Sequence, residues 1–252
     1  IVEENPQLDI YLYYIEKDTD IDFETNQKIL AYEYMLSNGL ILPPENVSRL
    51  QVNDFDSFGK IFYKTDHHWN NRGSYLGYLQ VMNLMGISDV LRPLGEVNLD
   101  YTFSGLKALK AGLTDVYTEG FSAYRFDYPA MKTRADGETV SDYGAQDSYF
   151  AHTPQSISYG EFYGSDAGEL ILDTGRAELE NILVIGDSYD NAILKLIASH
   201  FNKTYSIDLR HYENRMGEPF EFSSYAKDHD ISKVLFIGDV FFYGTNEFTI
   251  GE

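Results

Sequence analysis

The chain has 252 residues, 43% of them apolar, enough for one large α/β domain or two small ones with a substantial core. Its formal net charge of −21, from 19 basic against 40 acidic residues, argues against a nucleic-acid partner and against docking on anionic lipid through a basic patch. The absence of cysteine excludes disulfides, thiol nucleophiles and thiolate-ligated zinc.

Residues 8–15, LDIYLYYI, form a β-branched and aromatic run that predicts a buried strand. Residues 25–39, TNQKILAYEYMLSNG, carry apolar side chains at helical spacing, with Gly39 as a stop signal. The stretch FYKTDHHWNNRGSYLGY at 62–78 packs an Asp, two His and the sole Trp into four consecutive positions. It leads into a helix from about residue 70, on which Leu76, Leu79, Val81, Met82 and Met85 repeat with roughly helical period and which Gly86 closes. Residues 87–180 are rich in Gly, Tyr, Asp and Thr without long periodicity. They read as an irregular β-rich insertion that shapes a cleft within a single domain spanning 1–252.

The last third returns to short apolar strands alternating with helices, the pattern of parallel βαβ units. NILVIGDS (181–188), TYSIDLRHY (204–212) and KVLFIGDVFF (233–242) are the strands; YDNAILKLIASHF (189–201) and PFEFSSYAKDH are helices. The fold class is therefore α/β with a mainly parallel sheet. No run of about 18 apolar residues is present to span a membrane. The chain opens on Ile1 rather than Met and reads as trimmed, with a leader or anchor expected ahead of it. Its 21 Tyr suit a surface that binds sugars, although Tyr also covers strand faces for purely structural reasons.

In ILVIGDSYDNAIL an apolar strand ends in Gly-Asp-Ser and a helix follows at once. Ligands of open α/β sheets bind beyond the carboxyl ends of strands, so Ser188 is well placed for a nucleophile. The first helical N–H groups point into the same space, where a tetrahedral oxyanion would need them. The plain alternative is that Ser188 only caps the helix. The chain carries its own control: Gly238-Asp239 ends another apolar strand, with Val240 in the place of the serine. Ser188 is thus meaningful only if it has partners.

A serine nucleophile needs a base, and the base an orienting acid. Asp66 and His68 supply both; at i and i+2 on an extended segment they leave the same face, with His67 on the opposite side. Asp66 as a cap for the helix near Asn70 is the structural alternative. A metal held by Asp66, His67 or His68 with Asp187 is another, but adjacent histidines rarely converge on one ion and no His-x-x-x-His is present, so no metal is expected. Of the scattered histidines, His211 is placed to line a cleft after its strand; His152, His200 and His229 are read as structural.

Taken together, KTDHHWNNRGSY and LVIGDSY resemble the DHHW family, related to the SGNH-like domains of the alginate O-acetylation enzymes. The resemblance implies an SGNH-hydrolase-like three-layer sandwich, circularly permuted so that Asp-x-His-Trp precedes Gly-Asp-Ser. It implies an extracytoplasmic bacterial serine enzyme, secreted or membrane-anchored, acting on acetyl esters of a polysaccharide as O-acetyltransferase or acetylesterase. Ser188 corresponds to the nucleophile, His68 to the base and Asp66 to the acid, with no cofactor. The Gly and Asn blocks that form the oxyanion hole of ordinary SGNH esterases are not recognisable. The backbone N–H groups of Ser188 and Tyr189 are offered in their place, with the side chains of Asn191, Arg210 and Arg72 as oxyanion or substrate candidates. Trp69 is expected to pack beneath the motif. The partners implied are a glycan acceptor and an acetyl donor, supplied through a membrane acetyl-transfer protein. The competing reading is a non-catalytic carbohydrate-binding or accessory protein that retains the fold.

Overall fold

The computed structural model describes residues 1–29, 31–37, 42–141, 143–144, 146–151 and 157–244, and of residues 100 and 101 the backbone only. Gly39 and His152 lie outside the described residues. The strands, in chain order, are β1 (Asp9–Ile15), β2 (Ile21–Asp22), β3 (Gln27–Lys28), β4 (Val47–Leu50), β5 (Gly95–Phe103) and β6 (Glu119–Arg125). They continue with β7 (Lys132–Ala135), β8 (Glu138–Val140), β9 (Glu169–Asp173), β10 (Asn181–Ile185), β11 (Lys203–Ile207) and β12 (Ile231–Gly238).

The central sheet has the order β4-β1-β12-β10-β11-β9-β7-β8. Its first five strands are parallel, with Tyr13 opposite Ile237, Val184 opposite Leu235 and Val184 opposite Ser206. The near-continuous apolar runs of β1, β10 and β12 match burial on both faces of a parallel sheet. Along β10, Ile182 and Val184 enter one apolar cluster while Leu183 and Ile185 enter another. The first cluster includes Tyr78, Val81 and Met82 of the helix Asn71–Leu84 and Leu194, Leu196 and Ile197 of the helix Leu194–Ala198; the second includes Phe222, Tyr225 and Ala226 of the helix Phe222–Asp228. Helices thus pack on both faces of the sheet, giving an α/β sandwich.

Local details depart from the sequence reading. Residues 25–28 are not the start of a helix: Gln27 and Lys28 pair with β2 in a small ladder, after a turn at Asn26 with φ 55, and among the described residues the helix is Ala31–Ser37. Asn tolerates this left-handed conformation better than most side chains. Part of the segment 87–180 joins the sheet: β9 pairs antiparallel with β11, β7 with β9, and β8 with β7. Strands β5 and β6 form a separate antiparallel pair. The helix expected over 189–201 is broken into a 3₁₀ turn, Asp190–Ala192, and the short helix Leu194–Ala198. The break follows from two buried polar residues: Asp190 accepts from Ser206 Oγ (3.2 Å), and Asn191 donates to Asp166 (2.9 Å) and accepts from Tyr143 Oη (2.9 Å). The strand expected over 233–242 stops at Gly238, where the Asp239 carboxylate accepts the N–H groups of Phe241 and Phe242 and opens the helix Val240–Gly244. Among the described residues no helix is long and apolar enough to cross a membrane.

Candidate active site

The DHHW stretch is a tight loop between the helices Phe55–Ile61 and Asn71–Leu84. A bridge between Phe62 and Trp69 closes it, with Tyr63 N–H donating to the His68 carbonyl (3.2 Å) and Asn70 N–H to that of Ile61 (2.9 Å). Asn70, not Asp66, caps the following helix by accepting from Arg72 N (3.0 Å) and Gly73 N (3.1 Å). That leaves the Asp66 carboxylate for other work. Trp69 is wholly buried beneath the loop, against Gly77, where an added Cβ would lie 2.5 Å from the indole Cζ3.

Asp66 Oδ1 accepts from the His68 backbone N–H (3.0 Å) and lies 2.6 Å from His68 Nδ1. Its Oδ2 accepts the N–H of Leu106 (2.7 Å), in the first turn of the helix Leu106–Lys110. The β5–β6 connection clasps the loop further. Glu119 accepts from Thr65 N (2.7 Å) and Thr65 Oγ1 (2.5 Å), and Gly105 N–H donates to Thr65 Oγ1 (3.1 Å). Gly105 has an ordinary φ of −83; its use is space. A Cβ there would lie 2.7 Å from Asp66 Cα and closer still to Asp66 Cβ and Oδ2.

His68 Nε2 lies 2.8 Å from Ser188 Oγ, across 120 residues of sequence. With Asp66 accepting at Nδ1, the neutral ring carries its proton there and Nε2 is free to accept the serine hydroxyl. Burial works against charge on Asp66, but the hydrogen bonds from the His68 ring, the Leu106 N–H and the His68 N–H hold its carboxyl well below the usual carboxylate range. Asp66 and His68 are both buried and Ser188 is half-buried. The structure thus brings Asp66, His68 and Ser188 into one hydrogen-bonded line.

His67 does not point away as alternation along an extended segment predicts. Residues 64–68 are a run of bends, so the two-residue alternation is lost. The His67 ring centroid lies 3.8 Å from that of His68, and its Nδ1 is 3.4 Å from Asp66 Oδ1. Burial, helped by the adjacent His68, pushes His67 down to about 4, leaving it neutral at ordinary pH.

The other sequence-predicted residues have employment elsewhere. The Tyr189 N–H donates to Asp187 Oδ1 (3.1 Å), and the buried Tyr189 hydroxyl to the His67 carbonyl (2.7 Å). Both ends of the Asn191 amide are used by Asp166 and Tyr143. Arg210 forks onto Asp208, with Nε at 2.9 and 3.1 Å from the two oxygens, and its Nη2 reaches Asp166 (3.2 Å). Arg72 is exposed on its helix, 3.9 Å from Glu96. The helix-terminus argument for an oxyanion site also weakens, because only a 3₁₀ turn follows Ser188. Asp187 is pushed up to about 7 by its burial and by the charge of Asp239.

Among the described residues, two clusters bring potential metal-ligating atoms within 4.8 Å of one another: Asp66, His67 and His68, and Asp166, Asp208 and His211. In the first, His68 Nδ1 is engaged with Asp66; in the second, the Arg210 guanidinium already supplies the countercharge. Two contributors escaped the sequence reading. Gly105 carries no local signal. Tyr159 follows a legible capping box, with Ser158 accepting from Glu161 N–H, but nothing local says that its ring meets His68.

Fold and site together define a class: an α/β protein whose parallel sheet delivers a serine, at the end of a central strand, to a buried aspartate–histidine pair. No family model and no curated protein matches the chain. Among solved structures it is similar to PatB1 of Bacillus cereus with a sulfonyl adduct, with TM-score 0.72 and 21% identity over 99% of this chain and 86% of that one. A second PatB1 structure gives TM-score 0.69 at 19% identity, covering 99% and 88%. A DHHW family protein from Eubacterium siraeum gives TM-score 0.68 at 16% identity, covering 96% and 81%. The likeness to the DHHW family, read first from two short motifs, extends to the fold of nearly the whole chain.

Proposed function

We propose that this protein is a serine-dependent acyl-transfer enzyme acting on acetyl esters of an extracellular or cell-wall polysaccharide, as an O-acetyltransferase or acetylesterase. The observation that carries the reading is the Asp66–His68–Ser188 line, with contacts of 2.6 and 2.8 Å. Ser188 Oγ attacks the acetyl carbonyl and its proton passes to His68 Nε2, while Asp66 stabilises the imidazolium. Collapse of the tetrahedral intermediate breaks the acyl–oxygen bond; the leaving oxygen takes the proton from His68, and acetyl-Ser188 remains. A sugar hydroxyl, or water, then attacks with His68 again as base. With Tyr189 N–H occupied, the Ser188 N–H is the oxyanion donor that remains of the expected pair.

The similarity to PatB1 supports this reading, since that protein was solved carrying a sulfonyl adduct, the product expected when an activated nucleophile meets a sulfonyl electrophile. The fold we propose is a circularly permuted SGNH-like domain, a reading supported by the order of the motifs, Asp-His before Ser. The proposed setting is extracytoplasmic, with a glycan acceptor and an acetyl donor passed on by a membrane acetyl-transfer protein.

The test is covalent labelling with an aryl sulfonyl fluoride, located by peptide mass. Label on Ser188, abolished by His68→Ala, is expected together with Ser188-dependent hydrolysis of an aryl acetate. An unlabelled and inactive protein that still binds oligosaccharide would instead establish the carbohydrate-binding alternative. Acetyl gain or loss on candidate glycans, read by mass, separates transferase from esterase.

A further inference from the structure

The His68 ring is gripped on both faces. On one side stands His67, tilted by 39° at 3.8 Å; on the other lies Tyr159, parallel within 5° at a centroid distance of 3.9 Å. Tyr159 is 4% exposed and opens the helix Tyr159–Tyr163. Its own ring is fixed by Tyr163 (4.8 Å) and, edge-on, by Tyr63 (6.4 Å). The Tyr159 hydroxyl and the Trp69 indole N–H are both buried side by side, yet fall short of hydrogen-bond geometry. The contact with His68, by contrast, is flat and close. What the position visibly uses is the face.

We infer that Tyr159 is a positioning residue for His68, holding the imidazole plane so that Nδ1 and Nε2 point at Asp66 and Ser188 together. The inference rests on the proposed role of His68. A ring hinged at Cβ has two torsions to fix, and each hydrogen bond tolerates a range of angles, so the two together leave the ring some tilt. The flat contact with Tyr159 removes that tilt. Offset stacking of this kind is a favoured aromatic geometry, and the electron-rich face also tolerates the imidazolium formed during the reaction. The other groups around His68 are Asp66 and His67 on its own loop and Tyr189 on the serine turn, with Lys17 and Lys107 near His67.

The experiment compares Tyr159→Phe with Tyr159→Leu, reading kcat and KM on an aryl acetate, the thermal midpoint, and the NMR shift of the His68 Cε1 proton. Tyr159→Phe keeps the face and is expected to retain kcat within about twofold. Tyr159→Leu keeps apolar bulk without the face; kcat is expected to fall about ten- to a hundredfold with KM nearly unchanged. The upfield ring-current shift at His68 should persist in the Phe variant and vanish in the Leu variant. A Leu variant with wild-type kcat would overturn the inference, as would equal losses in both variants. If the wild type shows no Ser188-dependent turnover, the proposed function has failed, and the NMR shift still reports on the stack by itself.

Discussion

Gly105→Ala asks a sharp question of the site. The substitution leaves backbone conformation undisturbed, because φ at 105 is −83. The new methyl would stand 2.7 Å from Asp66 Cα, where carbon atoms rest at about 3.5 Å or more. The deficit is about 1 Å, and backbone on both sides gives little room to share it. Asp66 must retreat from His68 Nδ1 or from Leu106 N–H, or both. A misplacement of about 1 Å costs on the order of 100-fold in rate, and complete loss of the orienting acid about 10⁴-fold. We expect kcat on an aryl acetate to fall between these limits, with slower sulfonylation of Ser188 as a second readout. Overpacking also costs about 1–3 kcal/mol of stability, so thermal melts accompany the kinetics. Gly120→Ala is the control, since a Cβ there meets nothing within 4 Å, and it should behave as wild type. Wild-type kcat in a folded Gly105→Ala protein would refute the argument that Asp66 acts from this seat.

Further outcomes follow from the same geometry. Ser188→Ala and His68→Ala should each lose more than about 10³-fold in aryl acetate hydrolysis, and the double variant should be scarcely worse, because the two act as one unit; additive losses would contradict that. Asp187 titrates at about 7 in the folded chain and near 3.8 when unfolded, so the folded form holds a proton between those values. Its contribution to stability is full below about pH 4 and disappears as pH rises to about 7. Asp187→Asn should therefore raise the thermal midpoint more at pH 8 than at pH 4, and equal shifts at both would be inconsistent with a raised Asp187. Truncating the wholly buried Trp69 to Ala should cost about 3–5 kcal/mol by urea unfolding, and a cost under about 1 kcal/mol would show that Trp69 is not a keystone of the loop.

The three residues that the structure brings into contact, Asp66, His68 and Ser188, were legible by type: a serine at a strand end and an acid two residues before a histidine each have a capping or packing explanation alone, and gain meaning only together. Strands β1, β10 and β12 were equally plain, being short apolar runs. The fine structure was not. The segment after Ser188 has good helical periodicity, yet Asp190 and Asn191 bury their polar ends against Ser206, Asp166 and Tyr143 and hold a tighter turn. Those partners lie on other elements, and no local pattern announces them. The same holds for His67, whose direction is set by bends that the clasp of Thr65, Gly105 and Glu119 imposes. Oxyanion candidates chosen by proximity in sequence, Tyr189 and Asn191, were already committed to the scaffold.

The strand order β4-β1-β12-β10 places a strand from the first fifteen residues between one from the first fifty and one from the last twenty-two. For a chain that emerges from its amino end, residue by residue, this arrangement delays completion. Strand β1 gains its inner neighbour only when residues 231–238 arrive, and β10, which carries Ser188 at its tip, is joined to β1 only through that same strand. The histidine loop and the serine turn touch directly, through the Tyr189 hydroxyl and the His67 carbonyl, but the sheet is completed only when nearly all of the chain is available. A nascent chain would hold Asp66, His68 and Ser188 well before the central sheet is complete, so the hydrogen-bonded line they form belongs to the finished fold.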